Sequence, residues 1–145
     1  GRLDFQSEGL MILTNDGELT RRITRAGNLK KVYQVKVHGQ PSQEKLDRLC
    51  GGMSIEGEQF ARCEIRELKR ARNCWFEVVL HEGRNRQIRR MFEHLGHRVM
   101  RVRRTAIGPL VLGDLSPGGY RKLTFGEVQL LQEKKKPTQK SKKSG

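Results

Sequence analysis

Two stretches of this chain alternate apolar and polar residues, and such a pattern lies flat only as a strand with one wet face. In 31–38, Tyr33, Val35 and Val37 fall on one side and Gln34 and Lys36 on the other. In 74–80 the apolar side is Cys74, Phe76, Val78 and Leu80. A period of two excludes an all-helical bundle and puts a sheet with one buried face at the centre of the fold. A strand over 60–68 is expected to join 74–80 through the basic loop Lys69-Arg70-Ala71-Arg72-Asn73 as a hairpin. The apolar run Leu10-Met11-Ile12-Leu13, stopped by Asn15-Asp16-Gly17, reads as a further buried strand. An arginine-studded strand follows at 99–105, with turns at Gly108-Pro109 and Ser116-Pro117-Gly118-Gly119.

Helical spacing appears between these strands. Leu19 and Ile23 share a face in 18–25; Pro41-Ser42 opens a helix with Leu46 and Leu49 inward, ended by Gly51-Gly52. Ile88, Met91, Phe92 and Leu95 recur at i, i+3, i+4, i+7 behind Asn85 as N-cap, and Gly96 closes that helix. At about 100° per residue, Arg89 stands at the border of this apolar stripe. Thr124 and Glu127 form a capping box for a last helix through Leu131. The sum is roughly six or more strands and three or four short helices, an α+β fold with a mixed, largely antiparallel sheet and short flanking helices. Residues 1–132 read as one domain and 133–145 as a disordered, lysine-rich tail.

Charge narrows the partner. The chain carries 30 Lys+Arg against 16 Asp+Glu, a net of +14. Residues 84–104 hold eight arginines and one acid, and the tail holds six lysines and one acid. Planar guanidiniums suit bidentate phosphate contacts, whereas lysines act as flexible point charges. The arginine block therefore reads as a shaped nucleic-acid surface. No apolar run reaches the length of a membrane span, so no membrane partner is expected. Three cysteines without a C-x-x-C pair suggest reduced thiols and a cytoplasmic setting, and four histidines without ligand spacing suggest no metal.

By composition alone, a non-enzymatic RNA-binding ribosome-assembly factor is the leading reading. The linear sequence shifts that balance. Gly1-Arg2-Leu3-Asp4, Ser7-Glu8-Gly9-Leu10 and Leu13-Thr14-Asn15-Asp16-Gly17-Glu18-Leu19 resemble the active-site segment of the bacterial ribosomal RNA pseudouridine synthases. The resemblance continues through Lys31-Val32-Tyr33-Gln34-Val35 and Glu82-Gly83-Arg84-Asn85-Arg86-Gln87-Ile88-Arg89-Arg90-Met91. It ends at Arg104, Gly108-Pro109 and Gly119-Tyr120-Arg121-Lys122-Leu123. The Gly-Arg-Asn-Arg-Gln-Ile-Arg-Arg block is more similar to the large-subunit enzymes than to the small-subunit one.

That resemblance implies an enzyme that isomerises uridine in ribosomal RNA, most nearly 23S, without cofactor or metal. Asp4 matches the nucleophile, Tyr33 the tyrosine set against the base, Arg89 the partner of the aspartate and Leu123 an apolar lining residue. Arg2, Arg84, Asn85, Arg86, Arg90 and Arg104 are the expected RNA contacts, with ribosomal RNA or an assembly intermediate as partner and a monomer as the working form. Family members carry further strands and an RNA-binding module before the Gly-Arg-Leu-Asp block, so the catalytic domain is expected to be truncated at its N-terminus.

Overall fold

The computed structural model describes residues 2–25, 27 and 29–133. The lysine-rich tail beyond Glu133, Gly1, Ala26 and Asn28 lie outside the described residues. The two alternating segments become β2 (Lys31–Val37) and β6 (Cys74–Leu80), paired antiparallel with Tyr33 opposite Val78 and Val35 opposite Phe76. β7 (Val99–Ile107) runs antiparallel on the other side of β2, and β1 (Ser7–Gly9) is the one parallel neighbour, beside β7. With β5 (Glu64–Lys69) at the far edge and β8 (Leu110–Val111) folded back on β7, this makes a six-stranded mixed sheet. A separate two-stranded ribbon joins β3 (Met53–Ile55) and β4 (Glu58–Phe60).

One sheet face is covered by α2 (Gln43–Cys50) and α3 (Gln87–His94). Val35, Val37, Phe76 and Val78 from the sheet meet Leu46, Leu49, Ile88, Met91 and Phe92 from the helices, with Phe76 and Phe92 stacked at 5.7 Å. Burying side chains of that size contributes about 1.5–3 kcal/mol each. A second, smaller cluster holds α1 (Gly17–Thr24) and α4 (Phe125–Gln132) near β8, through Leu19, Ile23, Ile107, Leu110 and Leu131. The helices start where their side chains satisfy free amides. Asp16 accepts from Glu18 N and Leu19 N, Ser42 from Lys45 N, and both halves of the Thr124–Glu127 box are made.

Three expectations are corrected. The run Leu10–Leu13 is not a strand: the strand lies earlier, at Ser7–Gly9, and Leu10 and Ile12 pack from coil onto the second cluster while Leu13 is exposed. Gly9, at φ +119, lets the backbone touch β7, where a Cβ would stand 2.2 Å from Arg104 O. Second, 60–68 is not one strand. Glu56 and Gly57 both take positive φ in a two-residue turn, so Phe60 belongs to β4 and β5 begins only at Glu64. Third, Asn85 does not cap α3. Arg86 occupies the cap in the left-handed region, φ 52 and ψ 34, and the Gln87 side chain accepts from Arg84 N instead.

The far end of α3 follows the expected stop. Gly96 at φ +88 donates to Glu93 O, and His97 N donates to Phe92 O, the two bonds of a Schellman close. Among the described residues, no helix is long and apolar enough to cross a membrane.

Candidate active site

A cleft of about 160 Å³ opens where the segment before β1, the cleft-side ends of β2 and β7, and the start of α3 converge. Asp4 sits in it on a tight turn: Ser7 N donates to Asp4 O, and the Asp4 side chain closes on the residues that follow. Its Oδ1 accepts from Gln6 N at 3.0 Å and from the Ser7 hydroxyl at 2.8 Å. Among the described residues Oδ2 accepts no hydrogen bond, and it faces Arg89 Nε at 3.5 Å. One carboxylate oxygen is therefore fixed and the other is held in readiness.

Arg89 is buried and anchored from both sides. Its Nη2 donates to Gln6 O at 2.9 Å and its Nη1 to Val99 O at 3.5 Å, while Nε, aimed at Asp4, makes no hydrogen bond. This position follows from the helix: at the border of the stripe led by Ile88, the stem runs along apolar surface and the head emerges in the cleft. Partial burial alone would push the Asp4 carboxyl up. The Ser7 hydroxyl, the Gln6 amide and the Arg89 and Arg86 guanidiniums outweigh it and hold the group below its ordinary value. Asp4 is thus an ionised carboxylate at neutral pH.

Tyr33 lines the same cleft, on the sheet face that carries Val35 and Val37. Burial raises its phenol above the ordinary value, and hydrogen-bonded Arg104 draws it part of the way back. Arg104 is itself buried, with Nε donating to Leu10 O at 2.8 Å. It serves Tyr33 and the chain beside β1 from inside the wall, rather than presenting an outer phosphate contact.

The other expected contacts divide. Arg2, Arg84, Asn85 and Arg86 line the cleft and are exposed at its rim. Arg90 lies outside it: Nη2 reaches Glu58 at 3.2 Å and Glu56 at 3.8 Å, and the guanidinium covers the Phe60 ring at 5.0 Å. Arg84 is partly drawn into the same group, with Glu82 at 3.1 Å, Glu58 at 3.5 Å and Phe60 beneath. Leu123 packs on the second cluster with Leu131 and Leu19 and is not among the residues lining this cleft.

Sequence reasoning missed Ser7, whose spacing three residues after Asp4 is a turn signal that could have revealed it. It also missed the Glu58–Phe60 platform under the two arginines, which no local pattern announces. No group of three or more His, Cys, Asp or Glu among the described residues is placed to hold a metal ion. The arrangement can do one thing well: present a fixed, ionised carboxylate to an electrophilic carbon inside an arginine-rimmed cleft.

The chain is similar over most of its length to proteins of one family. The family model described as RNA pseudouridylate synthase matches residues 1–94. An uncharacterised RNA pseudouridine synthase of Aquifex aeolicus is 43% identical over 134 residues, which is 90% of this chain and 53% of that protein. The ribosomal large subunit pseudouridine synthase B of Bacillus subtilis is 38% identical over 135 residues, 90% of this chain and 55% of that protein. A crystal structure of a pseudouridylate synthase superposes with a TM-score of 0.82 at 34% identity, covering 90% of this chain and 57% of that one. The chain spans about half the length of the curated relatives it matches.

Proposed function

The chain belongs to the RNA pseudouridylate synthase family, and from that premise we propose that it isomerises specific uridines of ribosomal RNA, large-subunit RNA first, to pseudouridine. The observation that carries this reading is the Asp4 carboxylate, with Oδ1 fixed by Ser7 and Gln6 and Oδ2 turned to buried Arg89. The large-subunit preference draws its support from the Bacillus relative named for that subunit and from the Gly-Arg-Asn-Arg-Gln-Ile-Arg-Arg block.

The chemistry conserves atoms. The C1′–N1 bond of the target uridine breaks, a C5–C1′ bond forms, the proton leaves C5 and N1 ends carrying one. Asp4 is the nucleophile, and Arg89 keeps it ionised and aimed in a setting where burial opposes charge. Tyr33 lies against the base. With its phenol raised by burial it meets the substrate protonated, and Arg104 is the group that would favour its phenolate as the C5 proton leaves. The base must leave its stack to reach Asp4, at a cost of a few kcal/mol in a duplex and less in a loop. Arg2 and Arg86, exposed at the rim, are placed to hold the flanking phosphates.

The reading is tested by incubating the protein with large-subunit and small-subunit ribosomal RNA and mapping pseudouridine in each. The expected result is one or a few new pseudouridines in the large-subunit RNA. Binding without any new pseudouridine would support a non-catalytic RNA clamp instead.

A further inference from the structure

The reaction just described leaves unused one largely buried lysine beside the cleft. Lys31 opens β2 on the same sheet face as Tyr33, opposite Leu80 of β6, and is only 6% exposed. No carboxylate pairs with it and no acceptor meets its Nζ among the described residues. Burial, and after it the charge of nearby Arg104, make the ammonium hold its proton less tightly than an ordinary lysine. A Cβ at Gly83 would stand 3.3 Å from Nζ. Gly83, Leu80, Tyr33 and Arg104 all line the cleft, so the ammonium lies directly behind the wall where the base is expected to sit. An ammonium with no counter-charge beside it is set to interact with negative charge that arrives from elsewhere.

We propose that Lys31 takes part electrostatically in the reaction from behind the cleft wall, its ammonium acting with the Arg104 guanidinium on the negative charge that develops on the uracil ring as the glycosidic bond breaks. The inference rests on the uridine-isomerase reading above. When C1′–N1 breaks, its electron pair stays with the ring and spreads from N1 onto the two carbonyl oxygens. When C5–C1′ forms, the pair is returned to a neutral product. Two cations set in place before the reaction begins act on that charge-separated stage and hardly at all on the neutral ground state. Depth selects the base over a phosphate. The exposed arginines, Arg2, Arg84 and Arg86, stand at the rim, whereas the Lys31 ammonium lies behind Gly83 and near Arg104.

Lys31→Met keeps the stem and removes the charge. Single-turnover rates on uridine-containing ribosomal RNA are expected to fall on the order of 10²-fold, as for loss of one donor to a developing anion, with RNA affinity within about twofold of the parent. With 5-fluorouridine in the target position the fluorine itself stabilises the ring anion, so the loss in the rate of glycosidic cleavage is expected to shrink several-fold. Lys31→Gln is expected to behave alike should the methionine variant fail to fold. Equal losses on the two RNAs, a rate within about twofold of the parent, or a loss accounted for by weaker RNA binding would each overturn the assignment. A parent protein that converts no uridine would instead overturn the reading beneath it, and Lys31's role with it.

Discussion

Asp4 shows how much one residue's role depends on three neighbours that do no chemistry. Ser7 and Gln6 fix one carboxylate oxygen, Arg89 faces the other, and the sum holds the group ionised despite its partial burial. Because its folded-state value is depressed, this contribution to stability is present above the unfolded value of 3.8 and is lost as pH falls through the lower folded value. Carboxyl NMR titration is expected to place Asp4 below 3.8, and Arg89→Gln to move it upward. Arg86 is the second informative residue. It sits in the left-handed region, which costs a non-glycine residue about 1–2 kcal/mol, at the lip of the cleft. Arg86→Gly is therefore expected to leave the midpoint of thermal unfolding level or higher while turnover on RNA falls. A large drop in stability would show that the side chain is there for structure. Of these residues, Asp4, Arg89 and Tyr33 were legible in the sequence through helix periodicity, strand alternation and family resemblance. Ser7 and Lys31 were not singled out, because a hydroxyl in a turn and a lysine at a strand end look ordinary until their partners, or the lack of them, are in view.

At the scale of elements, the strongly periodic segments were readable and the irregular ones were not. β2, β6 and α3 carry their own patterns, since each has one buried face. β1 does not: Ser-Glu-Gly has no alternation, and its place is set by Gly9 meeting the β7 backbone. The apolar run after it misled because its inward residues, Leu10 and Ile12, pack from coil. The start of α3 misled for a different reason: Arg86, not Asn85, takes the cap position, without a side-chain cap bond, and the Gln87 side chain reaches back to Arg84 N. Gly9→Ala follows from this picture. The added methyl meets Arg104 O, and the backbone must leave φ +119, at a cost of about 1–3 kcal/mol. Urea unfolding should show that loss. Turnover should fall further than stability accounts for, because β1 tethers the Asp4 turn to the strand that carries Arg104.

For the whole molecule, the net charge of +14 matters less than which cations remain uncommitted. Eight arginines crowd 84–104, yet Arg90 and Arg84 are occupied by Glu56, Glu58 and Glu82 over Phe60, and Arg89 and Arg104 face inward. The block is as much an internal scaffold as a phosphate surface, a division invisible in a tally of charges because two of the three acids, Glu56 and Glu58, come from the β3–β4 ribbon. Salt dependence of RNA binding separates the two sets. Arg2→Ala and Arg86→Ala are each expected to reduce the slope of log K against log salt by roughly one phosphate contact, and Arg90→Ala to leave it nearly unchanged. An equal effect from Arg90 would mean that RNA displaces Glu58. The central claim is narrower, that the Asp4 carboxylate performs the isomerisation, and release of tritium from ribosomal RNA labelled at uridine C5 tests it most directly. The account predicts release by the parent protein and none above background by Asp4→Asn at equal RNA affinity; full release by the asparagine variant would contradict it.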